Sequence, residues 1–135
     1  MTVGYSGTPL AKKLGIKPGM SVALLHAPPH LSQLLGELPE GATINTRLTE
    51  RLNLVLIFFQ RAGDLADDVP ALKSAIAPDG MIWVAWPKRT SKLPTDITED
   101  VIRQVVLPAG LVDVKVCAID HTWSGLKVVI RKELR

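Results

Sequence analysis

The sequence predicts an α/β domain of three layers, with a mostly parallel sheet of about five or six strands and a closing antiparallel hairpin at the C-terminus. Three observations carry this. Strand-like and helix-like patterns alternate along most of the 135 residues. "LNLVLIFF" (residues 52–59) and "MIWVAW" (residues 81–86) are apolar on both alternations, the mark of strands covered on both faces. The last two strand patterns are joined only by "DHTWSG", too short for a crossover helix.

Each element has a local reason. In "YSGTPLAKKLGIKPGMSV", Thr8 is an expected N-cap and Pro9 suits the first helical position, where a missing N–H costs nothing. Gly15 suits the left-handed residue that ends the helix, and Lys17-Pro18-Gly19 makes a turn into a first strand at residues 21–26. "PPHLSQLLGELP" places Leu31, Leu34, Leu35 and Leu38 at helical spacing, predicting a short helix ending near Gly36. "ATINT" predicts a brief second strand whose place in the sheet the sequence leaves open.

After residues 52–59, Asp68 is expected to cap a helix with Pro70 in its first turn and Val69, Leu72 and Ile76 inward. Pro78-Asp79-Gly80 then turns the chain into residues 81–86. There Ile82, Val84 and Trp86 point one way and Met81, Trp83 and Ala85 the other, with Pro87 closing a central strand. Trp83 is expected in the core. Asp96 and Glu99 stand at capping-box spacing before a helix burying Ile97, Val101, Val105 and Ile102. "LVDVKVCAID" alternates Val112, Val114, Val116 and Ala118 against Asp113 and Lys115, as an edge strand would. "GLKVVIRK" ends the pattern with Leu126, Val128 and Ile130 inward.

Composition narrows the classes. The chain is one domain by length, residues 1–135, and 47% hydrophobic with 21% charged residues is a globular balance. A net charge of +3 is mild, and its Lys and Arg are scattered, so nucleic acid is not the expected partner. Cys117 is the single cysteine, which excludes an intramolecular disulfide and a cysteine-based zinc cluster. The longest apolar run is far too short to span a bilayer, and "MTVGYSGTPLAKK" lacks a signal peptide's apolar segment. The expectation is a cytoplasmic protein with no membrane partner.

The order of elements resembles the Rossmann-like fold of S-adenosylmethionine-dependent methyltransferases. "LAKKLGIKPGMSV" resembles the lead-in to their first strand, "LNLVLIFF" their fourth, "IAPDGMIWVAW" their helix and fifth strand, and the C-terminal segments their final hairpin. Those enzymes follow strand one with a glycine-rich loop and strand two with an acidic residue. Here the corresponding stretches are "HAPPH", which has no glycine, and "INTRLTE", which offers no clear acid at a strand end. A nearer resemblance covers almost the whole chain: "YSGTPLAKKLGIKPG", "DGMIWVAWPK", "TDITEDVIR", "GLVDVKVCAID" and "WSGLK" are similar to a bacterial family, domain-of-unknown-function family 3052. That resemblance implies the fold and no activity, and it names no cofactor.

In open α/β sheets ligands bind beyond the carboxyl ends of parallel strands. The rule gathers His26 and His30 after the first strand, Arg61 after the apolar strand at 52–59, Trp86, Lys88, Arg89 and Ser91, and Asp120, His121, Trp123 and Ser124 in the hairpin. Arg61, Lys88 and Arg89 together suit a carboxylate or phosphate, although exposed loops also carry such cations for solubility. The histidines with Asp120 do not form a predicted metal site, because two prolines separate His26 from His30. Asp120 beside His121 reads as turn chemistry, as does Ser124-Gly125. No nucleophile constellation is present, and Cys117 reads as an inert thiol.

The expected function is therefore non-catalytic binding of an anionic small molecule, or regulation through it, on a reduced methyltransferase-like sheet. An interaction or homo-oligomerisation module, using the edge strand at 111–120 or the arm around Tyr5, is the alternative. An atypical methyltransferase is the third reading.

Overall fold

The computed structural model describes residues 9–135. Its helices are α1 (Leu10–Leu14), α2 (Leu31–Leu35), α3 (Ala62–Ala75) and α4 (Glu99–Val106). Its strands are β1 (Ser21–Leu25), β2 (Thr43–Asn45), β3 (Leu52–Phe58), β4 (Ile76–Pro87), β5 (Leu111–Ala118) and β6 (Trp123–Ile130). They form one sheet in the order β2-β1-β3-β4-β6-β5. The first four strands of that order run parallel, and β6 is antiparallel to both β4 and β5. The expected mostly parallel sheet with a closing hairpin is what forms, and residues 43–45 take its outer edge beside β1.

β3 and β4 are buried on both faces, so the sheet needs cover on both. On one face Ile82, Val84 and Trp86 pack with Leu65, Val69 and Leu72 of α3 and Ile102 and Val106 of α4. On the other, Trp83 and Ala85 pack with Leu10, Ala11 and Leu14 of α1 and Leu31 and Leu35 of α2. Trp83 is wholly buried, and its Nε1–H donates to the Leu14 carbonyl at 2.8 Å. That bond satisfies the one polar group of the largest core side chain and ties α1 to the sheet's centre.

Several local expectations are corrected. Pro9 stands at the N-cap of α1 rather than inside it, and Thr8 lies outside the described residues. α3 begins at Ala62, so Asp68 lies within the helix and Pro70 is interior. The early start has a tertiary cause: the Ala62 N–H is received by the Asp96 carboxylate from a distant loop, at 2.7 Å. Asp96 is thereby taken from its own helix, and Thr98 Oγ1 caps α4 by accepting from the Val101 N–H. The buried face of α4 is Ile102 and Val106, with Val101 and Val105 only half-buried.

Pro78-Asp79-Gly80 is not a terminal turn but an outward bulge within β4. An advance of two residues along β3, from Leu52 to Leu54, is matched by one of five along β4, from Ile76 to Met81. Gly80 is required there, since a Cβ would stand 2.8 Å from the Leu52 carbonyl oxygen. β5 departs from alternation as well. A bulge between Asp113 and Lys115 shifts its register against β6, leaving Val114 and Val116 exposed and setting Lys115 opposite Lys127. Leu126, Val128 and Ile130 point inward as expected.

Replacing Trp83 by Ala should lower stability by about 3–5 kcal/mol through the cavity left in the core. Trp83→Phe should cost less, yet still leave the Leu14 carbonyl without its donor. Urea midpoints of the two variants would show this, and a near-wild-type midpoint for the alanine variant would contradict the packing.

Candidate functional site

The sheet order changes direction between β1 and β3: the chain leaves β1 for β2 on one side and returns to β3 on the other. Beyond the carboxyl ends of these two strands lies an open cleft of about 1070 Å³. Its walls come from both strand ends, from α3 and from the loop at 94–96. The cleft is therefore where the topology of such sheets places ligands.

Each wall has a local cause. His26 follows β1 with φ 55°, a left-handed conformation uncommon for a residue with a side chain, and its ring meets Phe59 edge-on at 6.1 Å. Trp123 packs edge-on against Phe58 at 5.0 Å and lines the cleft from the hairpin. Arg61 stands at the N-cap of α3. Asp64, Asp67 and Asp68 follow at helical spacing and face the same space. The fourth wall is pinned by three bonds: Gln60 Nε2–H to the Pro94 carbonyl at 3.2 Å, Thr95 Oγ1–H to the Gln60 carbonyl at 2.7 Å, and Ala62 N–H to Asp96.

Of the eleven residues singled out in the sequence, His26, Arg61 and Trp123 meet in this cleft. Trp86 and Arg89 line a second cavity, of about 640 Å³, on the other side of Pro94 and Thr95. Lys88 lines neither; its backbone N–H donates to the Thr122 carbonyl at 2.7 Å, joining the two loop ends. Ser91 shapes its own turn, donating from Oγ to the Lys88 carbonyl. Ser124 pairs with Trp86 across the strands, and His121 is exposed.

His30 and Asp120 do come together. The buried Asp120 carboxylate accepts from His30 Nε2 at 2.8 Å and from the backbone N–H groups of Thr122 and Trp123, both at 2.8 Å. It thus locks the hairpin tip and the start of α2 together, setting the position of Trp123. Asp120 and His121 do not pair. Among the described residues no cluster of three His, Cys, Asp or Glu side chains could hold a metal ion.

The carboxylates of Asp64, Asp67 and Asp68 were missed as a site feature because their helix was expected to begin later. Their spacing in the sequence was the available signal. Cys117 is half-buried near Lys13 and Lys115; burial raises its pKa and the two lysines only partly oppose this. The folded thiol therefore holds its proton to higher pH than the unfolded one, so its contribution makes stability fall as pH climbs past the ordinary thiol range.

Strand order, the cleft at the switch point and the antiparallel closing pair define a Rossmann-like domain of the methyltransferase type. The structure is similar to a SAM dependent methyltransferase from Aquifex aeolicus, at TM-score 0.65 and 14% identity over 90% of this chain and 88% of that one. It is also similar to magnesium protoporphyrin IX methyltransferase from Synechocystis PCC 6803 with bound SAH, at TM-score 0.56 and 11% identity over 90% and 78%. At such identities the likeness is one of fold. A family model described as a protein of unknown function, DUF3052, matches residues 11–132, and the chain belongs to that family. No protein of curated function matches it.

The residues do not fit a nucleoside cofactor held in the way that the resemblance implies. The turn after β1 brings the side chains of His26, Ala27 and Pro28 into the cleft where a glycine-rich loop would leave room for a backbone cradle. β2 ends at Asn45, with Thr46 and Arg47 following rather than a carboxylate.

Two outcomes follow from this geometry. Asp120→Ala should cost about 1–3 kcal/mol, by leaving buried donors unmet, and should loosen Trp123. Chemical denaturation with near-ultraviolet circular dichroism would detect both, and unchanged signals would refute the locking role. Iodoacetamide at about pH 8–9, near the ordinary thiol range, should alkylate Cys117 more slowly in the folded than in the urea-unfolded chain. Equal rates would mean that the thiol is not held in its protonated form by burial.

Proposed function

We propose that this domain binds a small molecule, without transforming it, in the cleft over the carboxyl ends of β1 and β3. The observation that carries the reading is the cleft itself, about 1070 Å³ at the strand-order switch with Arg61, His26 and Trp123 on its walls. Arg61 receives the ligand's carboxylate or phosphate through charge-assisted hydrogen bonds. Asp64, Asp67 and Asp68 oppose a polyanion, so the fitting ligand is compact and carries amine or hydroxyl groups on its other side. The aromatic edges of Phe59 and Trp123 supply apolar contact. His26, held at positive φ, stores backbone strain at the cleft mouth, a cost often found at ligand sites.

A second reading, methyl transfer, is favoured by the fold's likeness to structures such as the protoporphyrin methyltransferase with bound SAH. It requires a cofactor pose other than the glycine-cradled one.

A thermal-shift panel of S-adenosylhomocysteine, NAD, mononucleotides, amino acids, simple carboxylates and phosphates tests both. A ligand at a hundred times its dissociation constant adds about 2.7 kcal/mol of stability. The expected result is a raised melting temperature with a small zwitterion or anion, lost in Arg61→Gln. Stabilisation by S-adenosylhomocysteine alone would replace this reading with the second, and silence across the panel would turn attention to the exposed edge of β5 as a protein contact.

A further inference from the structure

The second cavity is chemically unlike the first. Its floor is Trp86, only 8% exposed, at the end of the central strand. No buried polar side-chain atom among the described residues lacks a hydrogen-bond partner, and the Trp86 indole N–H makes no hydrogen bond to the protein. The N–H is therefore accessible, and Trp86 is among the residues that line this cavity of about 640 Å³. An indole can only donate, so its partner must be an acceptor.

The charges around it are divided, with Glu99 and Asp100 gathered on one wall about Arg103, and Arg89 and Lys92 elsewhere on the lining. Arg103 on the cavity wall is fully committed: Glu99 at 2.9 Å, Asp100 at 2.9 Å and Asp113 at 2.9 Å surround its guanidinium. Asp113, then Glu99, hold it protonated far above any working pH. Glu99 and Asp100, the acidic groups of the cavity, are thereby engaged. Arg89 and Lys92 also line it, and among the described residues neither has an acidic side chain within ion-pair distance. Lys92 is held at φ 64°, a left-handed conformation that a lysine adopts at some cost, at the end of the 3-10 turn Arg89–Ser91. Leu93, 38% exposed, provides an apolar rim beside them. An accessible indole N–H on a mostly buried side chain, two cations without an acidic partner among the described residues and an apolar lip form an arrangement that an oxyanion attached to an apolar body would complete.

We propose that this cavity is a second small-molecule site, separate from the cleft, that takes a carboxylate or phosphate monoester bearing an apolar group. One oxygen accepts from Trp86 Nε1–H, Arg89 and Lys92 balance the charge, and the apolar body lies against Leu93. The wall formed by Pro94 and Thr95 stands between this site and the cleft, which has its own aromatic reporter in Trp123.

The test is nuclear magnetic resonance of the ¹⁵N-labelled full chain, whose three tryptophans give three indole N–H signals. Trp86→Phe and Trp123→Phe assign them. Benzoate, phenyl phosphate and inorganic phosphate are titrated in turn. The expected result is a saturable shift of the Trp86 signal with benzoate, phenyl phosphate or both, while the Trp83 signal, bonded to Leu14, stays in place. The aromatic probe that binds more tightly identifies the oxyanion, and inorganic phosphate should bind more weakly for want of an apolar body. Arg89→Gln with Lys92→Gln should weaken that binding by about tenfold or more, the scale expected for lost charge-assisted bonds. An unmoved Trp86 signal with every probe, or an affinity untouched by the double substitution, would overturn the proposal. Shifts confined to Trp123 would do so too, while supporting the cleft.

Discussion

A strand that is apolar on both faces must be covered on both, and in this protein two such strands lie side by side. β3 and β4 cannot sit in a sheet with one wet face, so their burial obliges α3 and α4 to cover one side and α1 and α2 the other. Trp83 fixes the second of these sides most firmly, because its indole must both fill volume and find an acceptor, and it finds Leu14. What double coverage leaves open is the end of the sheet. Loops issuing from the carboxyl ends of β1, β3 and β4 meet there, and helices laid on the faces do not close the gap between them.

The short segment around Pro94, Thr95 and Asp96 organises that open end. It has no regular structure, yet three hydrogen bonds tie it to the end of β3 and the start of α3. One consequence is that Asp96 satisfies a helix terminus 34 residues away. Another is that a single wall separates two cavities with different charges on their linings, Arg61 with Asp64, Asp67 and Asp68 in one, and Arg89, Lys92 and Arg103 with Glu99 and Asp100 in the other. Arg89 and Lys92, in the basic loop after Pro87, thus line the second cavity and not the cleft at the strand-order switch.

The sheet was legible from residues 52–59 and 81–86 because continuous apolarity has a direct physical meaning, and the hairpin from the brevity of its link. Helix starts were less so. Asp96 has the spacing of a local cap but is used across the fold, and Asp68 looks like a cap only if the partner of Ala62 is unknown. The bulges in β4 and β5 escaped because alternation assumes one residue for one, whereas Gly80 and Val114 sit where the two strands of a pair advance unequally. For the candidate site, the sequence gathered strand ends that border the two cavities but could not tell that Trp86 and Trp123 line different spaces. That division depends on where the loop at 94–96 lies.

The two outer strands differ in the hazard they pose. β2, three residues long, offers little for another chain to pair with, whereas β5 runs for eight and shows Val114 and Val116 to solvent. Its bulge breaks the even spacing of outward backbone groups, and the Lys115–Lys127 juxtaposition adds positive charge beside that rim. Copies paired edge to edge through β5 in register would bring Lys115 beside its own image, a like-charge contact that opposes such pairing. The mismatch that shifts β5 against β6 thereby sets positive charge along the longer of the two outer strands among the described residues.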